Sequence, residues 1–295
     1  MEDIINDAID AIGEFFHDLF AAVLRDRLDA MFQFVDDSTS LISGEVATSP
    51  SNWNTTIFNT LQNISTDVIL PIGTMIITAL LCYEIITMVI NQNHMGRDGG
   101  ETSFFFIIIF KACVAVYVLS HCWEITMAIF DVGSHIVTTV SAGYLTPTAD
   151  SLGIWGLNAF NAEIDAMGVG ELMSACLEAI LVNTAMSVMA VLIEVVLFGR
   201  MMEIYMYISV APIPFSTLIN KEWGMIGTNY IRTLCALAFQ TFFIIICVVI
   251  FNALVASIVT TTLIKGMWDV LLYTVLLCMS LFKSGTISRS IFNAH

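Results

Sequence analysis

Glu84, Lys111, Glu194, Arg200 and Glu203 lie within or at the ends of long apolar runs, and these are the residues whose types could do chemistry. Lys111 stands inside Phe104–Ser120, FFFIIIFKACVAVYVLS. A lysine near the middle of a bilayer-length helix costs roughly 3 kcal/mol, so it persists only where a partner, a wet cavity or a neighbouring subunit receives it. Groups of this kind either line a path for ions and polar cargo or lock helices together. Glu84 and Lys111 fall about seven or eight residues in from the ends of one hairpin loop, at comparable depth on adjacent antiparallel spans. A direct pair and a pore-facing role are both open for them. Arg200 and Glu203 are three apart on one helical face and can pair locally.

No nucleophile–base constellation, phosphate-cradling loop or metal-spaced carboxylate pair accompanies these ions. Gly168-Val169-Gly170 is too little for a nucleotide fingerprint. His121 and His135 read as hydrogen-bonded structural histidines. The seven cysteines show no ligand spacing and mostly fall inside apolar runs, where they read as small packing residues. The expectation is a protein with no catalytic, cofactor or metal site and no enzymatic activity, with bound phospholipid as its one small companion.

The elements that must position the ions are membrane spans. Hydrophobic residues make up 57% of the 295 and charged residues 12%, with a mean hydropathy of +0.84; soluble domains carry about 25% charged residues. A span needs about 20 mostly apolar residues. The windows Val68–Ile90, Phe104–His121, Ala179–Phe198, Thr233–Ile258 and Trp268–Phe282 qualify, the last being short enough to borrow Leu263–Gly266 or tilt. Five spans are predicted, or six if Cys122–Ala142 inserts. Its Glu124, Asp131 and His135 suit a helix at the outer interface or lining a vestibule better than one facing lipid.

Residues 1–36 read as an amphipathic helix. Ile5, Ile9, Ile12, Phe16, Leu19, Phe20 and Val23 recur at three- and four-residue steps, with Asp3, Asp7, Asp10, Glu14 and Asp18 on the other side. Lipid-surface helices carry basic polar faces, so this acidic one is expected to dock on protein. Polar stretches at 37–40 and 49–52 read as a connector to a second helix, Trp53–Ser65. Pro71 falls in the opening turn of the first span, and Gly143–Gly170 reads as loop. Pro212 and Pro214 cannot sit inside an intact helix, which predicts a broken or re-entrant segment over Ala211, Pro212, Ile213, Pro214 and Phe215. The fold class is thus an all-α polytopic membrane protein. It divides into an extracytoplasmic N-terminal region (1–67), a transmembrane hairpin (68–121), an extracytoplasmic acidic segment (122–178) and a C-terminal transmembrane bundle with a cytoplasmic tail (179–295).

Net charge is −16, which argues against a broad face that grips nucleic acid. The opening Met-Glu-Asp lacks the basic flank of a cleavable signal, so insertion is expected to be directed by the spans. Basic residues near span ends favour the cytoplasmic side. With the N-terminus outside and the C-terminus inside, the cytoplasm holds Arg97, Arg200, Lys221, Arg232, Lys283 and Arg289, and the outside holds Arg25, Arg27 and Lys265. The stretch from Ala112 to Gly199 has no lysine or arginine.

Several features share one order along the chain: an acidic N-terminal helix, a lysine-bearing second span, a long exported centre, and FGRMMEIYMYISVAPIPFS from Phe198 to Ser216. A tail follows, Lys283-Ser-Gly-x-Ile-Ser-Arg-Ser-Ile291. The whole resembles the TrbL-like polytopic subunit of type IV secretion and conjugation machines, in the version carried by integrative elements of Gram-positive bacteria. The resemblance implies a channel or platform subunit in the cytoplasmic membrane. It would assemble as a homo-oligomer, a pentamer on the family's pattern, beside other secretion-machine subunits and membrane lipid, and pass a DNA–protein substrate transiently. The alternative function is a secondary transporter or ion-coupled carrier working through the intramembrane Glu and Lys residues; the lack of an internal repeat weighs against it.

Overall fold

The computed structural model describes residues 2–94, 101–144, 160–218, 220, 222–260 and 262–294. Among them there is no strand, and the elements in order are α1 (Glu2–Ala47), α2 (Pro50–Trp53), α3 (Thr55–Ile64), α4 (Leu70–His94), α5 (Glu101–Ser120), α6 (Cys122–Tyr144), α7 (160–166), α8 (Val169–Ser209), α9 (Pro212–Thr217), α10 (Gly224–Ala256) and α11 (Leu263–Ile291). The protein is all-α.

Five described helices are long and apolar enough to cross a membrane: Thr55–Ile90, Cys122–Tyr144, Val169–Ser209, Gly224–Ala256 and Leu263–Ile291. Four of them match predicted windows, and Cys122–Tyr144 is the segment whose insertion the sequence left open. Cys122–Tyr144 qualifies although its charges suggested an interface, because Glu124 and Asp131 are its only two carboxylates and its mean hydropathy is still 1.3. α5 itself, Glu101–Ser120, is 20 residues long, and its stretch Phe106–Ser120 is apolar. A single residue, His121, separates α5 from α6. Its N–H donates to Tyr117 O (3.1 Å) and its own carbonyl accepts from Ile125 N (3.0 Å). Helical bonding thus runs through the junction, and no loop is available there to reverse the chain.

Local chemistry moves several boundaries. The polar stretch at 37–40 stays inside α1, since Ser38 is buried and Thr39 Oγ1 donates to Asn252 Oδ1 at 3.0 Å. Pro71 lies well inside a helix that begins at Thr55, not in an opening turn. The residues before it, Ser65–Ile69, widen into a π turn in which Leu70 N–H reaches Ser65 O. A wider turn accommodates a ring that has no N–H and would press on the carbonyl four residues back. The expected loop Gly143–Gly170 shortens as well: 145–159 lie outside the described residues, 160–166 are helical, and α8 starts at Val169. Gly168 caps that start, its carbonyl accepting from Leu172 N (2.9 Å) while Glu171 Oε2 reaches back to Gly168 N (3.2 Å).

The proline segment begins a helix. Pro212 occupies the first turn of α9 after α8 has ended at Ser209. The first turn of any helix has N–H groups without intrahelical partners, so Pro212 and Pro214 forfeit no bond there. The break falls at Val210–Ala211, immediately before the prolines.

The chain divides into two compact units. The first takes Met1–Val46, Val137–Leu197 and Phe243–Ser284. Its buried side chains include Leu24, Leu28 and Val35 of α1, Leu172 and Met186 of α8, and Val248 and Phe251 of α10. Polar ties add α7 and α11 to this unit: Arg25 pairs with Asp165, Asn183 Nδ2 donates to Arg27 O (2.9 Å), and Trp268 Nε1 donates to Glu178 Oε2 (2.9 Å). Glu163 Oε2 accepts from Leu263 N at 3.0 Å, which caps the start of α11.

The second unit takes Ala47–Ile136, Phe198–Phe242 and Gly285–His295. Its core joins Phe130 of α6, Met201, Ile204, Tyr205 and Ile208 of α8, Phe215 of α9, and Tyr230, Leu234 and Leu237 of α10. A smaller cluster, Ile77 with Ala115 and Leu119, sits between α4 and α5.

Candidate functional site

In the second unit, α4 and α5 run antiparallel, as Ile77 against Leu119 and Glu84 against Lys111 both require. Lys111 Nζ donates to Glu84 Oε1. The lysine side chain is 31% exposed and the glutamate 18%, so the pair is largely covered by its own chain. Pairing satisfies a cation that the apolar faces around it could not hold. One residue away on α4, Tyr83 Oη donates to Glu222 Oε2 at 3.1 Å, tying the same turn to the segment after α9.

The second sequence-level pair is not formed. Glu203 accepts instead from Arg289 Nη2, in the turn that ends α11. Arg200 lies on the buried stripe of α8 beside Met201 and Ile204, 8% exposed, and its Nε has no hydrogen-bond partner among the described residues. A helix-local pair was the simplest expectation from the spacing. The geometry differs because Arg200 turns inward while Glu203 stays on the flank, where the tail reaches it. Glu194 is exposed on α8, and no ion pair reaches it among the described residues.

The break motif is the packing centre of this unit. Tyr205 Oη donates to Pro50 O (2.7 Å) and Tyr230 Oη to Tyr207 O (2.6 Å). Trp53 meets Phe198 and Tyr205 ring to ring, and Phe215 meets Tyr230 edge-on. Ala211 and Phe215 are buried, and the backbone around Pro212 is approached closely from α4. A Cβ on Gly73 would stand 2.8 Å from Pro212 O, and one on Gly227 would stand 2.6 Å from Pro214 O. The interrupted backbone is thus enclosed by protein, as an interruption inside a membrane must be or else line water.

Sequence reasoning missed the Arg289–Glu203 and Tyr83–Glu222 ties and the glycine approaches. Arg289 was visible only as a tail charge, and nothing local in the sequence marks its partner.

Among the described residues no group of His, Cys, Asp and Glu side chains is disposed to hold a metal ion. What the second unit offers is a Glu84–Lys111 pair, a Glu203–Arg289 pair and the buried Arg200, together with a tightly packed break. The sequence model of the family described as TrbL/VirB6 plasmid conjugal transfer like protein matches residues 35–212, more than half of the chain. The chain belongs to that family. The matched stretch takes in the Glu84–Lys111 hairpin, α6, the whole of α8 and the break as far as Pro212. This family member is therefore a multi-pass membrane component of a conjugative transfer system, working with other subunits of that machine. Neither the curated proteins nor the solved structures contain a match to the chain.

Proposed function

We propose that this TrbL/VirB6 family member is the channel or platform subunit through which a DNA–protein substrate crosses the cytoplasmic membrane, acting as a conduit without a catalytic step of its own. The observation that carries this reading is the polar stripe of α6. Glu124, Asp131 and His135 are all exposed on one side of a helix apolar enough to span, at steps of seven and four that place them on a single face. Glu124 stands in the first turn and Asp131 near the middle of that helix; a mid-span carboxylate on an outward face is costly against lipid and is found facing a bundle interior or a water-filled cavity. Exposed Glu194 on α8 supports the same conclusion.

A single chain leaves these groups uncovered, so the reading includes a homo-oligomer whose copies close around a polar passage. Its walls are weakly charged or acidic, suited to brief contact with a passing strand; the net charge of −16 directs the outer acidic surface toward other subunits. Orientation follows the basic residues, six cytoplasmic against three outside with the N-terminus out.

The test is crosslinking of DNA in transit to photoreactive side chains placed at Asp131 and Glu194 during transfer between cells. Adducts at these positions are expected, with none at lipid-facing Phe110. Adducts nowhere, from a particle that assembles and supports transfer, would reduce the protein to a scaffold.

A further inference from the structure

The first nineteen residues of α1 carry an apolar seam that the described residues leave open. Ile5, Ile9, Ile12, Phe16, Leu19 and Val23 follow steps of four, three, four, three and four, the 3.5-residue repeat of a helix that packs along another helix. Ile5, Ile9 and Ile12 are each more than half exposed, and Phe16 and Leu19 nearly so.

Further along the same helix a second seam is closed. Ala21, Leu24, Leu28, Met31, Val35, Ser38 and Ile42 keep the alternating step and are all buried in the first unit. Traced backward at the same steps, this buried line runs through His17, Glu14, Asp10 and Asp7, not through the isoleucines. At 3.6 residues per turn the two lines lie roughly 150° apart on the N-terminal segment. Extending the chain's own packing along α1 would therefore bury acids and leave the apolar seam bare. No described residue of the chain fills that seam.

The charge pattern says which occupant. With Ile9 and Phe16 at position a and Ile5, Ile12 and Leu19 at position d, the flanking e and g positions are Asn6, Gly13, Phe20, Ala8, Phe15 and Ala22, none of them charged. Asp7, Asp10, Glu14 and Asp18 fall at b, c and f, which point away from a partner helix. Identical copies can thus pair along this seam without bringing two carboxylates face to face, despite the acidity of the segment. Phe15 and Phe20 widen the seam beyond a and d, which suits contact with a neighbour on each side better than a two-stranded coil. A lipid surface fits less well, because the polar face is acidic and the segment has no lysine or arginine before Arg25.

We propose that residues 4–19 of α1 assemble with the same segment of other copies into a parallel helical bundle that holds the oligomer together at its N-terminal end. Parallel order follows from copies sharing one membrane orientation about a closed symmetry axis. The inference deepens the homo-oligomer of the proposed function and rests on that part of it.

The experiment uses the full chain in mild detergent. Ile12→Cys is expected to give disulfide-linked copies on oxidation, and Glu14→Cys, two residues away on the outer face, is expected to give no more than the wild-type chain with its seven native cysteines. Equal linkage at both positions, or none at Ile12→Cys, overturns the bundle. Separately, Ile9→Asp with Ile12→Asp should weaken self-association roughly tenfold or more, since each copy then brings charges into an apolar seam. Helicity and melting should hold, because both side chains are exposed in the single chain. An unchanged particle mass would remove the bundle while leaving the oligomer intact; a wild-type monomer would remove both. Ile9→Trp provides the lipid arm. A blue shift already present in the detergent-purified oligomer supports the bundle, and one that arises only on adding phosphatidylglycerol vesicles assigns the seam to lipid and refutes it.

Discussion

Glu203 gives its carboxylate to Arg289, 86 positions along the chain, and not to Arg200, one helical turn away on the same helix. The choice converts a sequence-local charge pair into a clasp between α8 and the tail, and it leaves a buried guanidinium behind. Ser288, next to Arg289, donates from Oγ to Ala236 O of α10, and Phe292 packs edge-on against Phe239. The tail is thus pinned at Ser288 and Arg289 and again one turn further on, at Phe292.

Breaking the clasp should free the tail. Arg289→Ala is expected to cost about 1 kcal/mol, because the pair is only partly exposed and its loss strands a carboxylate. The charge-reversed double variant Glu203→Arg with Arg289→Glu should recover most of the loss. Limited proteolysis after Ile287 reads the tail directly, and equal protection of Arg289→Ala and wild type would deny the clasp.

Arg200 makes the opposite prediction. A buried cation whose Nε finds no hydrogen-bond partner among the described residues destabilises the fold, so Arg200→Met should raise the unfolding midpoint in detergent by the equivalent of about 1–3 kcal/mol. Conjugative transfer should fall in the same variant, if the guanidinium meets an anion contributed by another copy or subunit. A lower midpoint would mean that the single chain already satisfies it.

The Glu84–Lys111 pair is tested by a double-mutant cycle. Lys111→Ala alone strands Glu84 and should cost about 2–4 kcal/mol, whereas adding Glu84→Gln should restore part of it, with a coupling of about 1–2 kcal/mol. Strict additivity in thermal unfolding would discard the pair as a stabilising unit.

Glycines at the break should separate by position. Gly73→Ala and Gly227→Ala place a methyl within 2.8 Å and 2.6 Å of a carbonyl oxygen of the proline segment, and each is expected to destabilise by about 1–3 kcal/mol. Gly199→Ala, in α8 with nothing within 4 Å of the added carbon, should stabilise by roughly 0.5–1 kcal/mol through helix propensity. A chemical-denaturation series that ranks the three alike would contradict the packing described for α4 and α10 against the prolines.

Much of this protein is legible in its sequence. Apolar runs of bilayer length, the intramembrane lysine, the proline break and the family resemblance are one-dimensional signals. Composition over a window, or one residue's covalent geometry, determines each of them. Boundaries were less legible where polar residues served the helix instead of ending it, as Ser38 and Thr39 do by turning to the core and to Asn252. The π turn at Ser65–Ile69 also needed the helix to begin earlier than its apolar run.

Partner choice lay beyond the sequence altogether. Spacing allowed Glu203 to meet Arg200 and allowed Lys111 to meet either Glu84 or a pore, and it could not rank those outcomes. Pairing energies of exposed or half-covered ions are small, so the burial and reach of each side chain decide between competitors, and both arise only when distant segments are packed. Tertiary structure alone turned Arg200 inward, brought Arg289 to Glu203, and pressed Gly73 and Gly227 against the backbone of the prolines.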